Sequence, residues 1–220
     1  MTLTLAVLAS GRGSNFEALL RSIEAGTCDA KILALITDNP QAAAIGIAKK
    51  HGVPVYAVER SAFASSILFD EKILSVLDSL RPDLVVLAGY MRILRSPKLL
   101  SAYAGRILNI HPSLLPKYPG AHAQADAFAA LVAWRATAHR GAGGASSAGE
   151  KFFSGLTLHL VDASLDGGPI LYQEKVDISG CRSAEEVSQK ILAREHLAYG
   201  RLIDGIARGK YPQVRIPSKK

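Results

Sequence analysis

The chain has 220 residues, of which 49% are hydrophobic and 20% are charged, and its formal net charge is +7. This composition is typical of one compact domain with a sizeable core, and no uncharged apolar run is long enough to cross a membrane. The basic residues are scattered, aromatic residues make up only 6%, and no recognition motif is found, so nucleic-acid binding is disfavoured.

Short apolar strands alternate with helical periods along most of the chain. The first five runs that predict strands cover residues 3–8, 31–37, 53–57, 84–88 and 106–110. Helical periods lie between them at residues 16–23, 41–51 and 67–80. A last helix is predicted from Ser183, which forms a capping box with Glu186, to about residue 207. The alternation predicts an α/β fold with a mostly parallel central sheet flanked by helices on both faces.

The turn after the first predicted strand has the pattern of an anion-binding loop. Residues 9–15 read Ala-Ser-Gly-Arg-Gly-Ser-Asn and lead directly into the first helical period. Free N–H groups and the helix dipole at such a turn favour a phosphate, and the side chains of Ser14 and Asn15 add donors. Because the signatures of dinucleotide and Walker A loops are incomplete, Gly13, Ser14 and Asn15 predict a monophosphate site. The alternative is a tight strand-to-helix connection without a ligand.

An amide and an imidazole stand two residues apart where the fifth predicted strand ends. Positions two apart in a strand point to the same side, so Asn109 and His111 can converge on one reacting atom. Pro112 ends the strand. An imidazole carries protons near neutral pH and an amide can donate to a developing oxyanion, which indicates acyl-type chemistry. The alternative is a strand end with one satisfied Asn and one structural His.

A turn with the sequence Asp-Gly-Gly-Pro begins at Asp166, after a sixth predicted strand at residues 156–161. It is typical of a hairpin connection to a further strand at residues 170–176. The functional interpretation is that Asp166 reaches the imidazole of His111. Its carboxylate would orient the ring there and favour the charged form.

Taken together, these motifs resemble the phosphoribosylglycinamide formyltransferase family, which are folate-dependent enzymes of purine synthesis. The resemblance rests on residues 10–15, 87–94, 109–120 and 165–169, which follow the family order over nearly the whole chain. It implies a single Rossmann-like domain over residues 1–220. The implied reaction is formyl transfer from 10-formyltetrahydrofolate to the amine of N1-(5-phospho-D-ribosyl)glycinamide, without a metal. A homodimer is left open.

The resemblance also implies roles for individual residues. Asn109, His111 and Asp166 correspond to the catalytic trio of the family. Glu195 matches a position that contacts the glycinamide substrate, and the predicted phosphate loop keeps its role. His159 faces the site by resemblance, and its alternative is a packed strand histidine. The implied folate contacts are Met91, Arg92, Ile93, Leu94, Asn109 and Ser66.

The sequence departs from the family pattern in a few places. Residues 129–154 stand where the family usually has a short connection, and their Gly/Ala/Ser-rich centre predicts a flexible insertion. At its start, residues 127–138 can extend the preceding helix. Ser66 stands where some members have an Arg near the folate, and Leu192 where some have a Lys near the phosphate. Ala125 lies in a run that is usually polar and contains Arg. We expect these changes to weaken ligand binding more than the chemical step.

Three other functions are alternatives. A formyltetrahydrofolate deformylase shares the trio but normally carries an N-terminal regulatory domain, for which we expect no room. A methionyl-tRNA formyltransferase would need a C-terminal RNA-binding domain and a different first loop. A non-catalytic nucleotide-binding module would keep the glycine loop and lose the trio.

The two cysteines and the start of the chain bear on the compartment. Cys28 and Cys181 lie far apart without a partner motif, which argues against a disulfide framework and a zinc site. A core strand begins almost at the first residue, so we expect no signal or transit peptide. The predicted location is therefore the cytoplasm.

Overall fold

A computed structural model describes residues 2–138 and 150–217. Its strands are β1 (Leu3–Leu8), β2 (Ala30–Thr37), β3 (Val55–Ala57), β4 (Leu84–Leu87), β5 (Ile107–His111), β6 (Phe153–Leu160) and β7 (Ile170–Asp177). They form a sheet in the order β3-β2-β1-β4-β5-β6-β7. The pairs from β3 to β5 are parallel, whereas β6 is antiparallel to both β5 and β7. The predicted α/β fold with a mostly parallel sheet is confirmed.

The helices of the described residues are α1 (Ser14–Glu24), α2 (Ala44–Lys50), α3 (Ser66–Leu80), α4 (Pro97–Ala102), α5 (Ala123–Ala138) and α6 (Ala184–Ala207). Ser183 caps α6 and accepts from the backbone N–H of Glu186 at 3.1 Å. The Glu186 carboxylate returns to the backbone N–H of Arg182 at 2.8 Å, one residue before the cap. Helix α4 was not predicted, because its six residues are too few to show a period. None of these helices is long and apolar enough to span a bilayer.

The sheet separates two apolar layers. Along β1, Leu3, Leu5 and Val7 belong to one layer, whereas Ala6 and Leu8 belong to the other. This alternation follows from the two-residue period of a strand. Side chains of α1, α5 and α6 complete the first layer, and those of α3 and α4 complete the second. Helices therefore cover both faces, as the sequence predicts.

The segment predicted to be a flexible insertion is ordered at both ends. Residues 129–138 belong to α5, and residues 153–154 begin β6. Trp134 packs against Phe152 with ring centroids 5.6 Å apart, and Arg135 donates to the carbonyl oxygens of Ser179 and Cys181 at 2.6 and 2.7 Å. These contacts correct the predicted bounds, because they hold the two ends against the core. The Gly-rich centre, residues 139–149, lies outside the described residues.

The chain changes direction across the sheet between β1 and β4. Strands β2 and β3 lie on one side of β1, whereas β4 and β5 lie on the other. Open α/β sheets bind ligands beyond the carboxyl ends of the strands at such a switch point. A cavity of about 720 Å³ lies there, and its lining includes Ser10 after β1, Asp38 after β2, Arg60 after β3, and Met91 and Arg92 after β4.

Candidate active site

Asn109 and His111 lie on the same side of β5, as their spacing predicts. In the antiparallel ladder with β6, Asn109 is opposite His159 and His111 is opposite Thr157. Opposite residues in such a ladder have neighbouring side chains. Asn109 Nδ2 accordingly lies 3.1 Å from His159 Nε2. Strand pairing therefore brings a second histidine to the amide.

Hydrogen bonds determine which nitrogen of His159 carries a proton. Its Nδ1 lies 3.0 Å from the carbonyl oxygen of Leu160, which can only accept, so Nδ1 is the donor. In the neutral ring Nε2 must then accept from Asn109. Burial lowers the pKa of His159, which favours this neutral form. The Asn109 amide is thereby oriented, and its second N–H, which has no partner among the described residues, can donate to a ligand.

His111 is held by a backbone carbonyl and faces a carboxylate. Its Nε2 lies 2.8 Å from the carbonyl oxygen of Tyr118 and must donate to it. Its Nδ1 lies 3.6 Å from Asp166 Oδ2. Because Nε2 keeps its proton for the carbonyl, Nδ1 is the atom at which this ring gains or loses a proton.

Asp166 lies in the turn between β6 and β7, in the left-handed region with φ of 50°. Its Oδ2 accepts from the backbone N–H of Gly120 at 2.8 Å, and its Oδ1 lies 3.8 Å from His159 Nε2. The turn is tight, since a Cβ on Gly168 would lie 1.9 Å from the carbonyl oxygen of Leu160. The structure therefore agrees with both interpretations of the Asp-Gly-Gly-Pro turn. It connects the two strands of a hairpin, and it presents a carboxylate to His111.

The predicted phosphate loop ends at the start of α1. Gly13 is the N-cap residue, has φ of 75°, and offers no side-chain cap. A Cβ there would lie 2.7 Å from the Cβ of Ala44 in α2, so both the backbone angle and the packing require glycine. The first N–H groups of a helix lack partners within the helix, which leaves them available to an anion.

Asn15 connects this loop to Glu195. The sequence prediction gave the Asn15 side chain to the phosphate, whereas its Nδ2 donates to Glu195 Oε2 at 2.8 Å. Asn15 Oδ1 is buried and has no hydrogen-bond partner among the described residues. Burial raises the pKa of Glu195 to about 7, and the hydrogen bond from Asn15 opposes this rise. Glu195 therefore lies beside the loop as a carboxyl group that titrates near neutral pH.

The predicted folate segment follows β4 and is anchored at both ends. The backbone N–H of Met91 donates to Ser10 Oγ at 2.9 Å, and Asp70 Oδ2 accepts from the N–H groups of Arg95 and Ser96 at 2.5 and 2.8 Å. Between the anchors, Met91 is 73% exposed, as an apolar ligand contact would require. Leu94 differs, because its side chain is buried in the second apolar layer.

The structure places an arginine beside one of the altered positions, Ser66. Arg60 donates from Nη1 to the carbonyl oxygen of Phe63 at 2.7 Å and from Nη2 to Ser66 Oγ at 3.4 Å. A guanidinium thus lies beside Ser66, although residue 66 itself is uncharged. Arg92 Nε pairs with Asp38 Oδ2 at 2.7 Å. Leu192 is half-buried on α6.

Sequence reasoning missed several groups that support the trio. The Gly120 N–H and the Tyr118 carbonyl are backbone groups, and the type of residue does not predict their role. The position of Thr157 could have been predicted from the sequence. It lies two residues before His159 in an apolar strand, so both side chains share a face.

The chain matches known proteins over nearly its whole length. The model of the formyl transferase family matches residues 3–203. The phosphoribosylglycinamide formyltransferase of Escherichia coli is 34% identical over 94% of this chain and 89% of its own length. That of Bacillus subtilis is 36% identical over 90% of this chain and 91% of its own length. The crystal structure of the Bacillus halodurans enzyme superposes with a TM-score of 0.81 at 36% identity, covering 96% of this chain and all of its own (100%).

The span of the family model, residues 3–203, contains every strand of the sheet. Identity above 30% with nearly complete coverage in both directions leaves the assignment of the family without ambiguity. The chain belongs to the formyl transferase family and, within it, to the phosphoribosylglycinamide formyltransferases.

Proposed function

We propose that this enzyme transfers the formyl group of 10-formyltetrahydrofolate to the amine of N1-(5-phospho-D-ribosyl)glycinamide. The products are formylglycinamide ribonucleotide and tetrahydrofolate, in de novo purine biosynthesis. The observation that carries the proposal is the convergence of Asn109, His111 and Asp166 at the end of β5, with His111 Nδ1 3.6 Å from Asp166 Oδ2. Amide, imidazole and carboxylate are the groups that acyl transfer through an oxyanion requires.

The reaction proceeds by attack of the glycinamide amine on the formyl carbon. The formyl oxygen gains negative charge in a tetrahedral intermediate, and the second N–H of Asn109 and the Nδ1–H of charged His111 donate to it. Asp166 faces the ring across Nδ1 and orders a water that takes the proton from the amine. When the intermediate collapses, the bond to the folate nitrogen breaks and that nitrogen takes up the proton that the water received from the amine. The reaction uses no metal and no covalent enzyme intermediate.

Binding groups surround the trio at the carboxyl ends of the strands. The backbone N–H groups of Gly13, Ser14 and Asn15 at the start of α1 hold the substrate phosphate, and Glu195, which accepts from the Asn15 side chain, contacts the glycinamide ribonucleotide beside them. The exposed apolar side chains of Met91 and Ile93 contact the folate. Fixing both substrates in one cleft makes the transfer effectively unimolecular.

The altered position Ser66 retains a positive charge nearby. Arg60 lies in the wall of the cavity and hydrogen-bonds to Ser66. Its guanidinium can pair with a carboxylate of the folate. The expected loss of folate affinity at residue 66 is therefore offset.

The deciding experiment mixes the purified protein with 10-formyltetrahydrofolate and follows tetrahydrofolate release with and without the glycinamide ribonucleotide. We expect release to require the acceptor and formylated product to accumulate. Asp162→Asn, in the same turn as Asp166 but exposed, is the matched control for loss of a carboxylate and should retain turnover. Equal release without acceptor would contradict the proposal and indicate a deformylase.

The proposal concerns one catalytic domain, residues 1–220, acting on two small molecules in the cytoplasm. It involves neither nucleic acid nor membrane. A homodimer stays a prediction of the sequence.

A further inference from the structure

The loop after β5, residues 112–118, supplies the acceptor that holds His111. The carbonyl oxygen of Tyr118 accepts from His111 Nε2 at 2.8 Å, and Ser113 Oγ donates its one proton to the neighbouring carbonyl oxygen of Lys117 at 2.5 Å. Tyr118 itself has φ of 55°, in the left-handed region. The position of one carbonyl oxygen therefore decides which nitrogen of His111 carries the fixed proton. Residues 112–118 lie outside the strands, so no backbone hydrogen bonds of the sheet hold the Tyr118 oxygen in place.

A threonine of β6 holds this loop from the side of the hairpin. Thr157 is fully buried, and its Oγ1 donates to the carbonyl oxygen of Ser113 at 2.6 Å. Thr157 Oγ1 also accepts from the backbone N–H of Leu115 at 3.0 Å and from Gln173 Nε2 at 2.9 Å. A hydroxyl has one proton and two lone pairs, so these three bonds use it completely. Two backbone groups of the loop thus depend on one side chain.

Gln173 of β7 extends the same network. It is opposite Thr157 in the ladder between β6 and β7. Its Nε2 donates both to Thr157 Oγ1 and, at 2.8 Å, to the carbonyl oxygen of Leu115. The amide nitrogen has two hydrogens, so each bond has its own. The loop is therefore held by two neighbouring strands.

We propose that Thr157 and Gln173 are positioning residues for His111. They hold residues 112–118 so that the Tyr118 carbonyl keeps a proton on Nε2, which leaves Nδ1 as the nitrogen that faces Asp166 and the oxyanion. The catalytic consequence rests on the proposed function, whereas the position of the proton does not. The hairpin that presents Asp166 to Nδ1 thus also fixes the other nitrogen of the same ring.

The test compares Thr157→Val, which keeps the shape and loses the hydroxyl, with Thr157→Ser, which keeps the hydroxyl. Nitrogen-15 NMR of histidine-labelled protein reports which nitrogen of the neutral His111 is protonated, and a His111→Gln variant assigns the signals. We expect Thr157→Val to lower the fraction with the proton on Nε2 and to lower kcat on the order of 100-fold. Both KM values should change little. Thr157→Ser should restore the NMR signature and most of kcat.

The matched control is Thr4→Val at the opposite end of the sheet. Thr4 Oγ1 donates to Asp83 Oδ2 at 2.8 Å and accepts from the Asp83 N–H at 3.0 Å, so its loss also removes hydroxyl bonds. We expect Thr4→Val to leave the His111 proton and kcat unchanged. An unchanged His111 signature in Thr157→Val would overturn the proposal, even if the protein lacked formyl-transfer activity.

Gln173→Met provides a second variant at an exposed position, in case Thr157→Val does not fold. This change removes the two hydrogen bonds that Gln173 Nε2 donates and keeps the length of the side chain. We expect a shift of the His111 proton in the same direction and a roughly tenfold loss of kcat, since Thr157 still holds the loop. A His111 signature and kcat equal to those of the unmodified enzyme would overturn the role of Gln173 and, with it, the two-strand network.

Discussion

The parallel strands and the antiparallel hairpin contribute to this site in different ways. Beyond the parallel strands the groups are backbone N–H donors and loop ends, such as the Gly13 turn and the Met91 N–H on Ser10. In the antiparallel part, side chains meet across the ladder, as Asn109 does with His159. In the proposed function, the parallel half therefore binds ligands through glycine turns and close packing, whereas the antiparallel half arranges the catalytic side chains through strand pairing.

The largest effect should come from the hairpin. Asp166→Asn keeps a residue that tolerates φ of 50°, so the turn and the bond from the Gly120 N–H should persist. It removes the negative charge beside His111. We expect kcat to fall roughly 100- to 10,000-fold, the range for a general acid-base group, with an unchanged melting temperature. Steady-state kinetics beside the control Asp162→Asn measures this, and near-normal turnover would reduce Asp166 to a turn residue.

On the parallel side, Glu195 should make stability depend on pH. Its pKa is raised to about 7 in the folded protein, from an ordinary value of 4.5. The folded state therefore binds more protons between these values, and stability falls as pH rises from about 4.5 to 7. Glu195→Gln stays neutral, so we expect it to be more stable at pH 8 by about 3 kcal/mol and equal at pH 4.

Denaturant unfolding at several pH values measures this difference, with Glu185→Gln on the exposed face of α6 as the control. The control should show no such pH-dependent gain. Parallel curves for Glu195→Gln and the unmodified protein would contradict the assignment of Glu195 as the titrating group.

The glycine loop should respond to a single methyl group. Gly13→Ala forces an L side chain to adopt φ of 75° and places its Cβ 2.7 Å from that of Ala44. We expect a loss of about 2 kcal/mol in unfolding free energy, and a KM increase for the glycinamide substrate larger than that for the folate. Gly11→Ala is the control, since a Cβ there meets nothing within 4 Å. Equal losses of unfolding free energy in the two variants would show that residue 13 does not specifically require glycine.

The smallest effect should come from the residue that orients the amide. His159→Phe keeps a ring but removes the acceptor for Asn109 Nδ2. The donor to the oxyanion remains but is no longer held, so we expect roughly a tenfold loss of kcat, below the approximately 100-fold cost of deleting such a donor. His159→Gln, which can still accept, should lose less. Kinetics that rank the two variants the other way round would show that the ring itself matters more than its Nε2.

Local patterns in the sequence predict most of the fold and part of the site. Alternating apolar residues predict the strands, and the spacing of Asn109 and His111 predicts their common side. The pairing of Asn109 with His159 could not be predicted, because register across 50 residues of chain has no local signal. The same holds for Asn15 and Glu195, which are 180 residues apart and meet only because α1 packs against α6.

The ladder between β5 and β6 makes the site sensitive to chain length in one stretch. Because Asn109 pairs with His159, and His111 with Thr157, the deletion of one residue from Phe153–Leu160 would shift these partners together. Leucines would then face the amide and the imidazole. We therefore expect single substitutions at exposed positions of this hairpin to be better tolerated than insertions or deletions in β6. Over evolutionary time, changes in length are therefore expected outside β6, and β6 should vary in composition alone.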